Sequence, residues 1–207
     1  GSGDITWHEI IEHIASKGKP YIIATGASND TDVNEIILKA SKINKKICVM
    51  QCNTNYTASD ENFKFINLNY LISLKKKFPS LVLGLSDHTP GHATVLGAIA
   101  LGAKIIEKHF TLSNELVGPD HKFSMTSKTW KDMVDRSREL EISLGNGQKK
   151  IEENEFETVV LQRRSIRVKN SLKKGHLLKR KDLVVLRPCP KDALDPRNIN
   201  KIIEKKI

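Results

Sequence analysis

The chain has 207 residues, with 34 Lys and Arg against 24 Asp and Glu, which gives a formal net charge of +10. This length suffices for one or two domains with a sizeable apolar core. No run of about 18 or more apolar residues occurs, so the sequence predicts no transmembrane helix. Two of its three cysteines lie in or beside an apolar run, a pattern typical of a reduced, cytoplasmic protein without a disulfide framework.

The positive charge is concentrated in residues 149–207, which hold 17 Lys and Arg and 8 Asp and Glu. A basic segment of this kind could bind nucleic acid or an anionic surface. The aromatic content of 5% argues against base stacking as a main function. We therefore expect a solvated basic face and neither a nucleic-acid nor a membrane partner.

The first two-thirds of the chain alternates short apolar runs with helical patterns. The runs predict four strands and the patterns predict four helices, in the order Tyr21–Ala24, a helix from about Asp30, Ile47–Met50, a helix around 67–78, Leu81–Leu85, a helix near 93–101, Lys104–Glu107 and a helix near 127–144. Apolar strands joined through helices by short connections indicate a parallel sheet flanked by helices.

Two histidines follow neighbouring predicted strands at their carboxyl ends. Ser86–His88 closes the run LVLGL, and Glu107–His109 closes the run KII. If these strands are parallel neighbours they lie ~4.8 Å apart, so His88 and His109 could reach one point. Two interpretations stay open, a shared metal ion or two structural histidines held by hydrogen bonds. A metal ion on two histidines needs water or substrate oxygens to complete its shell, which favours a catalytic divalent ion over structural zinc.

The pattern changes after Leu144. The charged stretch Lys149–Glu157 predicts a connector, and the β-branched pieces from Val159 onward predict a small, separate β-rich module without a long helix. Its most regular strand is KDLVVLRP, with Arg187 at the exit. The predicted organisation is a first domain over 1–146, a linker over 147–158 and a second domain over 159–207.

Seven short stretches stand out along the chain: GSGD (1–4), KPYIIATG (19–26), QCNTNY (51–56), GLSDHT (84–89), IIEKHFT (105–111), GPDHKFSM (118–125) and LRPCP (186–190). In this order and combination they resemble the sialic acid synthases, which make N-acetylneuraminate, legionaminate or pseudaminate. Together they cover nearly the whole chain, and the combination is far more specific than any single stretch. QCNTNYTAS followed by NFKFINLN is most similar to the legionaminate-type bacterial branch.

The resemblance implies an α/β fold: the second half of a (β/α)8 TIM barrel, followed by a small β-rich antifreeze-like (SAF) domain that is incomplete at its C-terminus. It implies a transferase that condenses phosphoenolpyruvate with an N-acetylated mannosamine-type aminosugar and releases phosphate, in the biosynthesis of cell-surface carbohydrate. The implied cofactor is a divalent metal, Mn²⁺ or Mg²⁺. Because the first four barrel strands of the family have no counterpart in the sequence, we expect an internal fragment that is inactive by itself.

The resemblance also assigns roles to individual residues. It implies metal ligands at His88 and His109 and phosphoenolpyruvate contacts at Ser2 and Ser86. It implies substrate-pocket residues at Thr54 and Tyr56, and acidic catalytic groups near the sugar hydroxyls at Glu107 and Asp120. It also implies that Arg187 contacts the sugar across a domain-swapped homodimer. Simple packing is the alternative for Thr54 and Tyr56, and an ion pair with Lys108 is the alternative for Glu107. At the level of the whole chain, the alternative to an enzyme is a non-catalytic sugar-binding or dimerisation module derived from such a synthase.

Overall fold

Four parallel strands lie side by side in chain order, β1-β2-β3-β4, in this computed structural model, which describes residues 1–57 and 59–207. Ala58, inside the QCNTNYTAS stretch, lies outside the described residues. The elements of the first compact unit, Gly1–Asn146, are α1 His8–Ser16, β1 Tyr21–Ala24, α2 Asp30–Ile43, β2 Ile47–Cys52, α3 Tyr70–Lys77, β3 Val82–Asp87, α4 Ala93–Ala100, β4 Ile105–Lys108 and α5 Ser127–Ser143.

All four predicted strands and all four predicted helices are confirmed, with shifted ends. Strand β2 runs on to Cys52 and β3 to Asp87, because both continue the parallel ladder into the polar residues that follow their apolar runs. Helix α1 was missed, although Ile11 and Ala15 form the buried stripe that an amphipathic helix needs. Helix α2 begins where expected, since the Asn29 side chain accepts hydrogen bonds from two backbone N–H groups of the first turn.

The apolar core lies between one face of the sheet and the helices. Successive strand residues point to opposite faces, so alternate side chains of each strand face the helices. On β2 these are Ile47 and Val49, which share one buried cluster with Ile36 and Ile37 of α2. Further members from the strands and helices are Tyr21, Ile23, Val33, Leu71, Leu74, Leu83, Leu85, Val95 and Ala98. The sheet therefore has its helices packed against one face, as half of a β/α barrel does.

The other face of the sheet is closely packed at Gly84 of β3. A Cβ atom at this position would lie 2.7 Å from the Ile105 carbonyl oxygen and 2.8 Å from Cγ of Met50. Only glycine fits so close to the backbone of a neighbouring strand. Two residues further along β3, the same face carries Ser86, where the candidate site begins.

The second compact unit, Gly147–Ile207, contains α6 Phe156–Gln162, β5 Ser165–Val168, β6 Leu183–Leu186 and α7 Ile199–Ile202. Strands β5 and β6 pair antiparallel, and β6 is the strand predicted within KDLVVLRP. The prediction of β structure from Val159 is wrong for its first residues. Val159–Gln162 complete helix α6, which begins inside the predicted linker; valine lowers helix propensity only slightly, and tertiary context overrides it. The assignment of this unit to the SAF type stays a prediction.

In the part of the chain that the structure describes, no helix is long and apolar enough to cross a membrane.

Candidate functional site

The candidate site begins at the carboxyl ends of β3 and β4, which pair directly. Ser86 is the register partner of Glu107, and its hydroxyl donates a 2.8 Å hydrogen bond to the Glu107 carboxylate. Ser86 is buried whereas Glu107 is exposed. A serine and a glutamate predicted to act on substrate thus lie side by side at the edge where ligands bind in parallel α/β folds.

The rings of His88 and His109 lie one residue beyond these strand ends and next to each other. Their centroids are 5.2 Å apart, with 63° between the ring planes. The expectation that the two histidines converge is therefore confirmed, and it follows from the parallel pairing of β3 with β4. Their role as metal ligands stays a prediction.

His88 is held in one tautomer. Its Nδ1 atom lies 2.8 Å from the Asn53 carbonyl oxygen. A carbonyl can only accept, so Nδ1 carries the hydrogen and donates, and the neutral ring presents a lone pair at Nε2. Burial lowers the pKa of His88, which outweighs the opposing effect of this hydrogen bond, so the ring stays neutral around pH 7.

His109 is paired with Asp120, the acidic residue predicted to lie near the sugar. The His109 Nδ1 atom and the Asp120 Oδ2 atom are 3.5 Å apart. About a third of the His109 side chain is exposed, so the ring borders solvent rather than the apolar core. A carboxylate beside Nδ1 orients the ring and leaves Nε2 on the other side, the arrangement common among metal-ligating histidines.

Two aromatic rings border the histidine pair. The Tyr56 centroid lies 4.3 Å from that of His88 and 5.8 Å from that of His109. The Phe123 centroid lies 5.1 Å from that of His109 and 6.0 Å from that of His88. Tyr56 is 47% exposed and Phe123 only 3%. One ring therefore forms a solvent-facing wall of the site and the other a buried one.

Sequence analysis missed Phe123, although it lies within the GPDHKFSM stretch. Its approach depends on the loop after β4, because the Met125 backbone N–H donates a 2.8 Å hydrogen bond to the His109 carbonyl oxygen. That bond returns the chain to the strand end and brings Phe123 against the histidine. A single phenylalanine between charged and polar residues carries no signal that would predict this.

Ser2, Gly26 and Thr54 meet at the ends of β1 and β2. The Gly26 backbone N–H donates to the Ser2 hydroxyl at 3.2 Å. A Cβ atom at Gly26 would collide with the Thr54 methyl group and with the Ser2 hydroxyl, so glycine is what allows the three segments to approach. Thr54 also lines a cavity of about 810 Å³, together with Asn53 and Asn55.

Arg187, the remaining predicted site residue, belongs to the second compact unit. It is exposed, and its Nε atom donates a 2.8 Å hydrogen bond to the Gln162 carbonyl oxygen. Its predicted contact with a sugar stays a prediction.

The histidine pair fits a divalent metal ion as a two-nitrogen site. Two imidazoles on one ion, each with its nitrogen roughly 2.1 Å from the metal, keep their centroids within about 6.5 Å of each other, and 5.2 Å lies inside that limit. Among residues 1–57 and 59–207, neither Nε2 atom has a hydrogen-bond partner. No group of three or more His, Cys, Asp and Glu is arranged around a common point within those ranges. The remaining ligands would therefore be water or substrate oxygens.

Comparisons with known proteins agree with these features. Residues 1–149 match the profile of the NeuB family. The N,N'-diacetyllegionaminic acid synthase of Legionella pneumophila is 35% identical over 211 residues, covering 100% of this chain and 58% of the relative. Human N-acetylneuraminate-9-phosphate synthase is 29% identical, covering 100% of this chain and 56% of the relative.

Solved structures show the same relationship. The N-acetylneuraminic acid synthetase of Leptospira borgpetersenii matches with a TM-score of 0.68 and 28% identity, covering 76% of this chain and 54% of that one. The spore coat polysaccharide biosynthesis protein SpsE of Bacillus subtilis matches with a TM-score of 0.62 and 28% identity, covering 99% of this chain and 62% of that one. The chain thus spans somewhat more than half the length of the relatives it matches. The match of residues 1–149 to the family profile, with these synthases as relatives, shows that the chain belongs to the NeuB family.

Proposed function

We propose that this chain carries the metal-binding half of a nonulosonic acid synthase active site, which condenses phosphoenolpyruvate with an N-acetylated mannosamine-type aminosugar and releases phosphate. The observation that carries the proposal is the convergence of the His88 and His109 rings, 5.2 Å apart, at the ends of two paired parallel strands. The synthases among its relatives support the reaction class. The legionaminate-type aminosugar is the substrate we favour, because the Legionella relative is named for it.

A divalent ion bound by His88 and His109, Mn²⁺ or Mg²⁺, would supply Lewis-acid polarisation of the sugar aldehyde oxygen. The protein's part is to present two imidazole nitrogens at a fixed spacing. The Asn53 carbonyl does this for His88 by accepting its Nδ1–H, and Asp120 faces Nδ1 of His109. Tyr56 and Phe123 border the rings.

The serine hydroxyls are suited to phosphoenolpyruvate. Ser86 lies in β3, Ser2 contacts Gly26 just beyond β1, and both are buried. Each hydroxyl can donate to a carboxylate or phosphate oxygen. In the structure Ser86 donates to Glu107, so substrate binding would exchange that partner for an anionic oxygen. The released Glu107 carboxylate could then accept from a sugar hydroxyl, as could Asp120.

Other parts of the proposal concern the whole protein. We expect the second unit to be an SAF domain, and Arg187 to contact the sugar of a partner subunit in a domain-swapped homodimer. We expect a cytoplasmic enzyme. The described residues supply four of the eight strands of such a barrel, so we expect the 207-residue chain alone to release little phosphate from phosphoenolpyruvate and N-acetylmannosamine.

The test is Mn²⁺ titration of the 207-residue chain by calorimetry. We compare it with His88→Ala/His109→Ala and with a matched control, His8→Ala/His13→Ala, which removes two histidines of helix α1. We expect binding by the chain and the control, and none by the first variant. Equal binding by all three proteins would contradict the proposed site. If none binds while all are folded, the alternative of a non-catalytic sugar-binding or dimerisation module gains support, and titration with the aminosugar tests it.

A further inference from the structure

A buried ion pair joins the ends of β3 and β4 next to the two histidines. Lys108 donates from Nζ to the Asp87 Oδ2 atom at 2.6 Å and to the Thr89 carbonyl oxygen at 2.6 Å. The Thr89 and Thr94 hydroxyls each donate to Asp87 Oδ2 at 2.8 Å. The side chains of Lys108 and Asp87 are 1% and 0% exposed.

The pair lies on the face of the sheet opposite to the site residues. Along a strand, side chains alternate, so Asp87 points away from the face that carries Ser86. It lies on the side of Leu85, a member of the apolar core beneath the helices. On β4, Lys108 alternates in the same way with Glu107. Asp87 and Lys108 are register partners, so their bond crosses from one strand to the other directly behind the site.

Stability alone is a poor explanation for this pair. Removing two charges from water carries a desolvation penalty that can exceed their attraction, and apolar side chains of similar size are often as stabilising or more so. The buried Asp87 carboxylate nevertheless has hydrogen-bond partners, because it accepts from Lys108, Thr89 and Thr94. Such a network has directional bonds, and it holds two strand ends in one relative position more tightly than apolar packing does.

We propose that Asp87 and Lys108 are positioning residues, which set the spacing of the His88 and His109 rings and thereby the affinity of that pair for a divalent cation. His88 directly follows Asp87 and His109 directly follows Lys108. A shift of either strand end therefore moves its histidine with it. The part of this inference that concerns the cation rests on the proposed function, and the part that concerns ring spacing does not.

The experiment compares three forms of the 207-residue chain. The test variant is Asp87→Leu/Lys108→Met, which replaces the pair by apolar side chains and is expected to fold. The matched control is Leu85→Ala, which removes a buried side chain of the same strand and face but leaves the network intact. Circular dichroism establishes that each protein is folded at the temperature used. Mn²⁺ affinity is then measured by calorimetry, and we expect it to fall about 10–100-fold in the test variant and to stay within about threefold in the control.

A second readout needs no metal. In the metal-free chain, ring protons of His88 and His109 should show a nuclear Overhauser contact, since the centroids are 5.2 Å apart. We expect this contact in the unchanged chain and in Leu85→Ala, and its loss in Asp87→Leu/Lys108→Met. If the unchanged chain binds no Mn²⁺ but the contact follows this pattern, the metal site fails and the spacing role stands. An unchanged ring contact in the folded test variant overturns the inference, as does unchanged Mn²⁺ affinity. If the double variant does not fold, Thr94→Val, which removes one hydrogen bond to Asp87, takes its place with the same readouts.

Discussion

Replacing Lys108 by methionine should destabilise the first unit strongly, because it removes the cation that compensates the charge of the buried Asp87 carboxylate. In the native structure that carboxylate is fully buried, and among residues 1–57 and 59–207 Lys108 is its single cationic partner. The Thr89 and Thr94 hydroxyls still donate to it in the variant, but they do not neutralise its charge. Breaking a buried pair by removing one partner typically costs about 3–5 kcal/mol. We expect Lys108→Met to lower the free energy of unfolding by that amount.

Urea unfolding followed by tryptophan fluorescence measures this effect. Both tryptophans, Trp7 and Trp130, lie in the first unit, so the signal reports on the unit that contains the pair. At a denaturant slope of about 2 kcal/mol per M, the expected loss moves the midpoint by about 1.5–2.5 M. The matched control is Lys131→Met, which removes the cation of the Lys131–Asp135 pair. That pair is exposed, and exposed pairs one helical turn apart contribute about 0.5 kcal/mol or less.

The double variant Asp87→Leu/Lys108→Met should recover most of the lost stability, because it no longer buries an unpaired charge. The reasoning would be refuted by a Lys108→Met midpoint within about 0.5 M of the unchanged chain. It would also be refuted if the double variant were less stable than Lys108→Met alone. Either result would mean that an uncompensated Asp87 charge is not what destabilises the Lys108→Met variant.

Three further outcomes are expected. Gly84→Ala should lower the free energy of unfolding by about 1–3 kcal/mol, because the new Cβ would collide with the Ile105 carbonyl oxygen. The same fluorescence assay measures this loss, and an unchanged urea midpoint would contradict the packing of β3 against β4. Burial raises the pKa of the Cys48 thiol to about 11, so about one thiol in a thousand is ionised at pH 8, and peptide mapping after iodoacetamide treatment should find Cys48 labelled only in urea. The hydrogen bond from His176 lowers the pKa of Asp182 below its ordinary 3.8, so this interaction stabilises the second unit above about pH 4 and is lost as the pH falls through the lowered pKa. NMR titration of Asp182 should give a midpoint below 3.8, and in His176→Ala that midpoint should rise toward 3.8. An unchanged midpoint in the variant would mean that His176 does not cause the shift.

Much of the first unit was predictable from the order of the residues. Short runs of four or five residues that end in polar residues, joined through helical patterns, predicted four parallel strands, and the structure has these four in chain order. The same pattern predicted that His88 and His109 converge, because carboxyl ends of parallel neighbours share one edge. The family was also accessible from sequence, since its motifs consist of residues that are contiguous in the chain.

Helices α1 and α6 were harder to predict from the sequence. In α1 the stripe of Ile11 and Ala15 is short, and its burial depends on the neighbouring helix and strand. In α6 the residues Val159–Gln162 have the composition of a strand and form a helix. Local preference differs little between the two states in such short segments, and the surrounding structure decides between them.

Part of the surroundings of the two histidines was decided by tertiary structure alone. Phe123 reaches His109 only because a loop hydrogen bond from Met125 returns the chain to the strand end. Asp87 and Lys108 are 21 residues apart and look like ordinary polar residues in sequence, yet the strand register makes them partners behind the site. A sequence motif indicates which side chains lie near the end of a strand. Which of them face the ligand and which face each other in the core depends on register and alternation across strands, and these are properties of the assembled sheet.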